Sequence, residues 1–116
     1  MERPVEYGLF EQTVTVYRMA DGQVSRKEYG GAYLQMQTQA QWDAQGREWE
    51  RKFLLILPGE DVVLAPGDRV YDGIGPQITA EQWSRFIPAL VDGLGQIQYV
   101  KPYFGQGFLS HTEAGR

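Results

Sequence analysis

Hydrophobic and polar positions alternate most regularly between residues 32 and 57. Even positions from Ala32 to Trp42 are mainly apolar, whereas positions 35, 37, 39 and 41 are all glutamine. Beyond residues 43–46 the apolar side chains move to odd positions, at Trp49, Phe53, Leu55 and Leu57. Because a period of two is typical of strands, the pattern predicts a long antiparallel hairpin over residues 32–57.

The two halves of this hairpin also predict their own register. An even-numbered loop makes paired positions sum to an odd number, so an even apolar face meets an odd one. The predicted pairs are Ala40 with Trp49, Met36 with Phe53, and Leu34 with Leu55. Leu54 and Ile56 make both faces apolar, which predicts that a second surface covers the outer side of this end.

Turn residues divide the remaining chain into shorter segments. Asp21-Gly22 lies between the β-branched segment 13–17 and residues 24–29, which predicts a first hairpin. Gly30-Gly31 is expected to interrupt the chain after it. Proline and glycine near residues 58–59, 66–68 and 72–76 then bound two predicted short strands, Val62–Leu64 and Arg69–Tyr71.

One short helix is predicted near residues 79–91. Thr79 and Gln82 have the spacing of a capping box, Ile78 is the staple residue, and Pro88 limits the length. The tail predicts one or two closing strands within residues 97–109, with frayed residues after Ser110. The expected fold is mainly β: a small antiparallel barrel forming one domain, residues 1–116, with flexible ends.

Composition narrows the function classes. The 116 residues are 42% apolar and contain no cysteine, which allows one packed core and excludes disulfides, thiolate nucleophiles and cysteine zinc sites. The net charge is −4 and the basic residues are scattered, which disfavours tight binding of nucleic acid. The longest apolar run, Phe53–Leu57, is too short to cross a membrane, and residues 1–12 lack the pattern of a secretory signal.

The segment "PGDRVYDGIGPQIT", residues 66–79, is the main candidate for ligand chemistry. It lacks the lysine and hydroxyl of a phosphate loop and the alternating carboxylates of a calcium loop. Proline, glycine and aspartate are also the residues of tight turns, and we favour turns over a cation held by Asp68 or Asp72. No cofactor and no metal are therefore expected.

Covalent catalysis has one weak candidate. His111 is the sole histidine and follows Ser110, but neighbouring strand residues point to opposite faces. Ser25 and Ser84 are not flanked by the glycines of a nucleophile elbow. We expect no enzyme activity, with a hydrolase based on His111 as the minor alternative.

The surplus of aromatic residues indicates a contact surface. Three tryptophans and seven tyrosines exceed the needs of one small core, and aromatic residues are enriched at protein interfaces. The uncharged glutamine row suits a hydrated subunit interface or a channel wall, although a plain solvent face explains it equally well. The candidate interface residues are Tyr7, Gln35, Gln37, Gln39, Gln41, Tyr99, Tyr103 and Phe104.

The order of these features resembles a known family. An early "TVTVY" at residues 13–17, the long hairpin, "PGEDVVLAPGDRVYDG" at 58–73, "ITAEQW" at 78–83 and "GQGFLSHTEAG" at 105–115 are similar to small phage and prophage proteins. These are the minor capsid, head-tail connector, stopper or head-closure proteins. The similarity covers most of the chain.

The resemblance implies a virion structural component, assembled in the bacterial cytoplasm, that forms a homo-oligomeric ring between the portal or adaptor and the tail. DNA would only pass through its channel, and no membrane is involved. The loop reaching that channel would be residues 58–68 or the hairpin tip, residues 43–46. The alternative is a small barrel that binds a peptide or small ligand in an aromatic groove formed by Trp42, Trp49 or Trp83.

Overall fold

A computed structural model describes residues 11–36, 52–59, 61–104 and 110–116. Seven strands form one antiparallel sheet in the order β5-β4-β1-β2-β3-β7-β6, and this sheet curls into a half-barrel. The predicted mainly β, barrel-type fold is confirmed. The strands are β1 Gln12–Ala20, β2 Gln23–Met36, β3 Phe53–Pro58, β4 Arg69–Asp72, β5 Leu94–Gln96, β6 Tyr99–Tyr103 and β7 His111–Gly115.

The first hairpin forms as predicted, with β1 paired to β2 from Ala20↔Gln23 onward. Its loop is Asp21 and Gly22, whose φ angles are 53° and 75°. Two consecutive positive φ angles define the type I′ turn, whose twist matches that of the adjoining strands. Glycine and aspartate are among the residues that adopt this conformation readily.

Gly30-Gly31 does not interrupt the chain, contrary to the sequence prediction. β2 continues through both glycines for 14 residues. The pairing shifts between Gln12↔Ala32 and Val14↔Tyr29, so β2 carries one extra residue at this point, and Gly31 has a φ of 63°. This β-bulge bends the strand, which lets its first part pair with β1 and its second part with β3.

The predicted register of the long hairpin is confirmed where the structure describes it. Leu34 lies opposite Leu55 and Met36 opposite Phe53. The predicted pair Ala40–Trp49 and the turn at residues 43–46 lie outside the described residues. The parity argument therefore places the correct face of both strands toward the core.

The two ends of the strand order are consecutive in the chain. β5 pairs with β4 and β6 pairs with β7, and only Ile97 and Gln98 separate β5 from β6. The Ile97 N–H donates to the Asp68 carbonyl and the Gln98 N–H to the Gly115 carbonyl, both at 2.8 Å. We call β5, β4 and β1 the first half of the sheet and β3, β7 and β6 the second half. One continuous segment thus passes from the first half to the second, as β2 does.

Two apolar clusters lie on opposite sides of β1. The main core fills the inside of the curl with residues from both halves of the sheet: Val14, Val16, Ala32, Leu34, Phe53, Leu55, Leu57, Val70, Ile97 and Ala114. A second cluster, formed by Tyr17, Phe86 and Leu94, lies on the other side of β1, β4 and β5. The first half of the sheet is therefore covered on both faces.

The predicted helix is shorter than expected and is a 3₁₀ helix, Ala80–Arg85. The Thr79 N–H donates to Gln82 Oε1 at 2.9 Å, as in a capping box, and Ile78 and Trp83 both pack against the second cluster. The helix ends two residues before Ile87, whose carbonyl accepts from Leu90 and Val91 N–H in a separate turn. Within the described part of the chain, no helix is long and apolar enough to span a membrane.

Two further predictions are wrong. Val62–Leu64 forms no strand, because no other strand in the described residues pairs with it. Val62 and Leu64 pack on the main core instead. Residues after Ser110 are not frayed: β7 lies inside the sheet, between β3 and β6. Ladder bonds on both sides hold this strand, and its Ala114 is fully buried.

Candidate assembly surface and buried charged groups

In the second half of the sheet one face carries the main core, and no second layer formed by the described residues covers the other. Along β3, Phe53, Leu55 and Leu57 are buried in the main core, whereas Leu54 and Ile56 alternate with them and are half-buried. We call the side opposite the core the outer face. Across it, the ladders align residues of four strands: Tyr33, Gln35, Leu54, Ile56, His111, Glu113, Tyr99, Lys101 and Tyr103.

Side chains on the outer face contact each other across strands. The Tyr103 and His111 rings stack with centroids 4.8 Å apart, and Lys101 Nζ lies 5.6 Å from the centre of the Tyr99 ring. The Tyr99 hydroxyl donates to Glu113 Oε2 at 3.2 Å, and burial together with this carboxylate raises the pKa of Tyr99. The face is therefore an ordered mixture of aromatic, aliphatic and polar groups.

Three of the predicted interface residues lie on this one face: Gln35, Tyr99 and Tyr103. Phe104 follows directly after β6 and is 71% exposed, which is unusual for so large an apolar side chain. The other predicted interface residues, Tyr7, Gln37, Gln39 and Gln41, lie outside the described residues. The structure thus brings together candidates from β2 and β6 that are far apart in sequence.

Leu54 and Ile56 belong to neither core cluster of the described residues. The sequence predicts that a second surface covers them, and their half-buried state leaves room for one. Together with Tyr99 and Tyr103 on the same face, they form its apolar part. Apolar and aromatic side chains gathered on one exposed face of a sheet are a feature of protein contact sites.

An ion pair between buried Asp68 and half-exposed Arg18 organises the start of the segment of residues 66–79. Asp68 is 3% exposed and binds Arg18 in a bidentate arrangement, with Nε–Oδ1 at 2.8 Å and Nη2–Oδ2 at 2.7 Å. Its Oδ2 also accepts the Ala65 N–H at 2.9 Å, and Gly67 between them has a φ of 97°. These contacts make a tight turn, as the favoured interpretation predicts. Among the described residues, no group of three or more histidine, cysteine or carboxylate side chains could hold a metal ion.

Arg69 is buried without a carboxylate partner in the described chain. Its guanidinium lies 3.7 Å from the centre of the Trp83 ring, and Nη1 donates to the carbonyls of Trp83 and Phe86. Burial lowers the pKa of Arg69, and its Nε has no hydrogen-bond partner within the described residues. The residue attaches the C-terminal end of the 3₁₀ helix to β4, because free carbonyls there attract a cation.

The loop after β4 is fastened to β1 by polar contacts. The Thr15 hydroxyl donates to the Gly73 carbonyl at 2.8 Å and accepts the Gly75 N–H at 2.9 Å. The Tyr17 hydroxyl donates to the Pro76 carbonyl at 2.6 Å, and burial raises the pKa of Tyr17. These bonds hold the loop and the 3₁₀ helix as a layer over the first half of the sheet.

The residues considered for catalysis and ligand binding are placed as follows. His111 stacks on Tyr103, while Ser25 Oγ donates to the Arg18 carbonyl at 3.4 Å. One face of Trp83 is occupied by Arg69, so this ring does not offer that face to a ligand. Trp42 and Trp49 lie outside the described residues.

Sequence reasoning did not identify the Arg18–Asp68 pair. A signal exists in the alternation of β1, where Arg18 follows Val14 and Val16 on the core face. A charge at the end of an apolar face needs a partner or an exit to solvent. The identity of the partner follows only from the β1–β4 register, in which Tyr17 lies opposite Arg69.

Comparison with protein-family models, curated proteins and solved structures gave no significant match to this chain.

Proposed function

We propose that this protein is a non-enzymatic component of a phage or prophage virion, a head-tail connector or head-closure protein that assembles as a ring. Its partners would be copies of itself, the portal or adaptor complex, and the tail. It would be built into the particle in the bacterial cytoplasm, and DNA would pass through without sequence-specific contact.

The observation that carries the proposal is the outer face. Within the described residues the first half of the sheet is covered on both sides, whereas the second half presents Leu54, Ile56 and three tyrosines on its outer face. The face combines aliphatic and aromatic residues with two charged ones, Lys101 and Glu113, and aromatic residues are enriched at subunit contacts. A patch that meets a different patch on the next copy generates a closed ring when the rotation between successive copies adds up to a full turn.

Charge is compatible with this role. The chain has a net charge of −4, so the wall of a ring built from it would hold polyanionic DNA weakly. A channel protein of this kind needs no catalytic group. The aromatic-groove alternative draws no support from Trp83, because Arg69 occupies a face of its ring.

The test is electron microscopy of the purified full chain mixed with isolated portal-adaptor complexes. We expect ring-shaped density added at the distal end of the complex, with the protein alone forming smaller or irregular oligomers. A protein that stays monomeric and binds none of these complexes would contradict the proposal.

Two matched isoleucine variants locate the contact. Ile56→Lys places a charge on the outer face and should abolish ring formation, because an unpaired charge would be buried in the contact. Ile74→Lys is the control, since Ile74 is 68% exposed and lies in the loop over the other half. Loss of assembly in Ile74→Lys alone would place the contact on the loop layer instead.

A further inference from the structure

Among the described strands, the first part of β2, Gln23–Tyr29, forms an edge of the sheet. It pairs with β1 on one side, and no other strand of the described chain pairs with it on the other. The Ala20↔Gln23 pair next to a two-residue loop is hydrogen-bonded, and such pairs then alternate along the ladder. The N–H and C=O groups of Val24, Arg26 and Glu28 therefore point away from β1, where they can accept another strand.

The other half's free edge is less suited to pairing. Pro102 lies in β6 and has no N–H to donate. Lys101 precedes it, and lysine and proline are the residues that commonly protect an edge strand. The edge of β2 has no proline and is longer, so it is the better acceptor of the two.

A groove lies beside the free edge of β2, on the inner side of the curl. Its volume is about 230 Å³, below the roughly 300–1,000 Å³ of small-molecule pockets, so it suits a single side chain. Val16, Tyr29 and the 64% exposed Val63 supply apolar wall. A long side chain entering from a strand on β2 would place its methylene groups against them.

The polar part of the groove is cationic. Arg18 is fixed by Asp68 through Nε and Nη2, and its Nη1 donates no hydrogen bond within the described residues. Lys27 is exposed, with Nζ 4.9 Å from the centre of the Tyr29 ring. Asp68 offsets the charge of Arg18, so the groove offers a carboxylate the Arg18 Nη1 as a donor and the positive charge of Lys27.

From these observations we infer that β2 is the docking site for an extended segment of a partner polypeptide. The segment pairs with Val24–Glu28 as an added strand and inserts a glutamate side chain between Arg18 and Lys27. Backbone bonds to a sheet edge supply affinity in such complexes, and a pocket for alternate side chains supplies specificity. Charge complementarity selects glutamate, because its apolar stem and carboxylate match the two parts of the groove. This inference is independent of the connector role.

The test uses the acetylated and amidated octapeptide Thr-Val-Thr-Glu-Val-Thr-Val-Thr with the ¹⁵N-labelled full chain. At millimolar peptide we expect amide shifts concentrated at Val24, Arg26 and Glu28. The same peptide with glutamine in place of glutamate should bind about tenfold more weakly, because a charge-assisted bond becomes a neutral one. Absence of shifts in β2 at millimolar peptide would overturn the inference.

Substitutions at two lysines test whether the peptide carboxylate binds in the groove. Lys27→Gln should weaken the glutamate peptide to the level of the glutamine peptide. Lys101→Gln is a matched control, since Lys101 also lies over a tyrosine ring but on β6. Equal effects of the two substitutions would overturn the assignment of the carboxylate to the groove.

Backbone methylation tests strand pairing without altering the protein. Two versions of the glutamate peptide carry N-methyl groups at alternate residues, one on each edge of the extended chain. Only the version methylated on the edge facing β2 should lose binding, because only those N–H groups donate to the sheet. Equal behaviour of both versions would rule out an added strand. If the peptide binds but no ring forms, the connector role alone is refuted. If rings form but the peptide does not bind, the docking of a strand on β2 alone is refuted.

Discussion

The two halves of the sheet differ in how many layers cover them. β1, β4 and β5 have the main core on one face and the 3₁₀ helix with its loop on the other. β3, β7 and β6 have the main core on one face and the outer face, with Leu54 and Ile56, on the other. The first half thus has both faces covered by described residues, whereas the second half keeps half-buried apolar side chains that no described layer covers.

The largest loss of stability is expected when the centre of the layer over the first half of the sheet is removed. Phe86 is 6% exposed and meets the Tyr17 ring edge-on at 4.6 Å. Phe86→Ala should lower the free energy of unfolding by about 3–4 kcal/mol, measured by urea denaturation, since it leaves a cavity between layer and sheet. Leu90→Ala, at a side chain 66% exposed, is the control and should change stability by less than about 0.5 kcal/mol. Equal costs would mean that the layer contributes little to the first half.

The next effect concerns the ion pair in the turn between β3 and β4. Asp68→Asn leaves Arg18 without its carboxylate and should cost about 2–3 kcal/mol, since Asp68 is 3% exposed while Arg18 still reaches solvent. Asp72→Asn, on the exposed end of β4, should be nearly neutral in the same urea titration. A neutral Asp68→Asn would show that the turn holds without the pair.

A smaller effect is expected where the loop is bonded to β1. Tyr17→Phe removes the bond to the Pro76 carbonyl and should cost about 1 kcal/mol at neutral pH. The ring stays in place against Phe86, so the substitution isolates the hydroxyl. Thermal unfolding of both proteins at several pH values measures the difference.

The pH dependence of this difference has a defined sign. Burial raises the pKa of Tyr17 in the folded state, so above the ordinary tyrosine pKa of about 10 the unfolded chain loses its proton first. The stability that Tyr17 contributes is therefore fully present below about pH 10 and falls as the pH rises through the folded-state pKa. Tyr17→Phe should flatten this alkaline decline, and Tyr99→Phe should flatten it too, since the pKa of Tyr99 is also raised. An unchanged decline in both variants would contradict the assignment.

The smallest effect on stability is expected on the outer face. Leu54→Ala should cost about 1 kcal/mol or less, because Leu54 lies outside both clusters, whereas Leu55→Ala should cost about 2–5 kcal/mol in the main core. Leu54 and Leu55 are neighbours on β3 that lie on opposite faces of the sheet, so each is a control for the other. If the two costs are similar, the outer face is covered within the chain and the contrast between the halves fails.

Local patterns predicted the parts of the fold that local physics determines. Asp21-Gly22 specifies its turn through backbone conformation, and the parity of positions 34, 36, 53 and 55 specifies which faces meet. The alternation also assigned Gln35 to the side opposite the core. These features depend on residues that are close in sequence.

The features that were missed depend on distant partners. β7 has no strong strand propensity in "HTEAG", and its position is set by ladders to β3 and β6. Val62–Leu64 has strand propensity, but no described strand pairs with it. Gly30-Gly31 forms a bulge because β2 pairs with β1 before this point and with β3 after it. For the same reason the sequence could not unite Gln35 with Tyr99 and Tyr103: their proximity follows from the strand order β2-β3-β7-β6.

The interior position of β7 has a consequence for synthesis on the ribosome. β3 finishes translation long before its neighbour: Leu55 pairs with Ala114, and Ile56 with Glu113. Until the β7 segment leaves the exit tunnel, one edge of β3 stays unpaired, and a nascent chain in this state is exposed to chaperones and to other nascent chains. Completion of the sheet is thus coupled to the end of this segment's translation, and a stop codon before His111 would leave β3 and β6 without the strand that joins them.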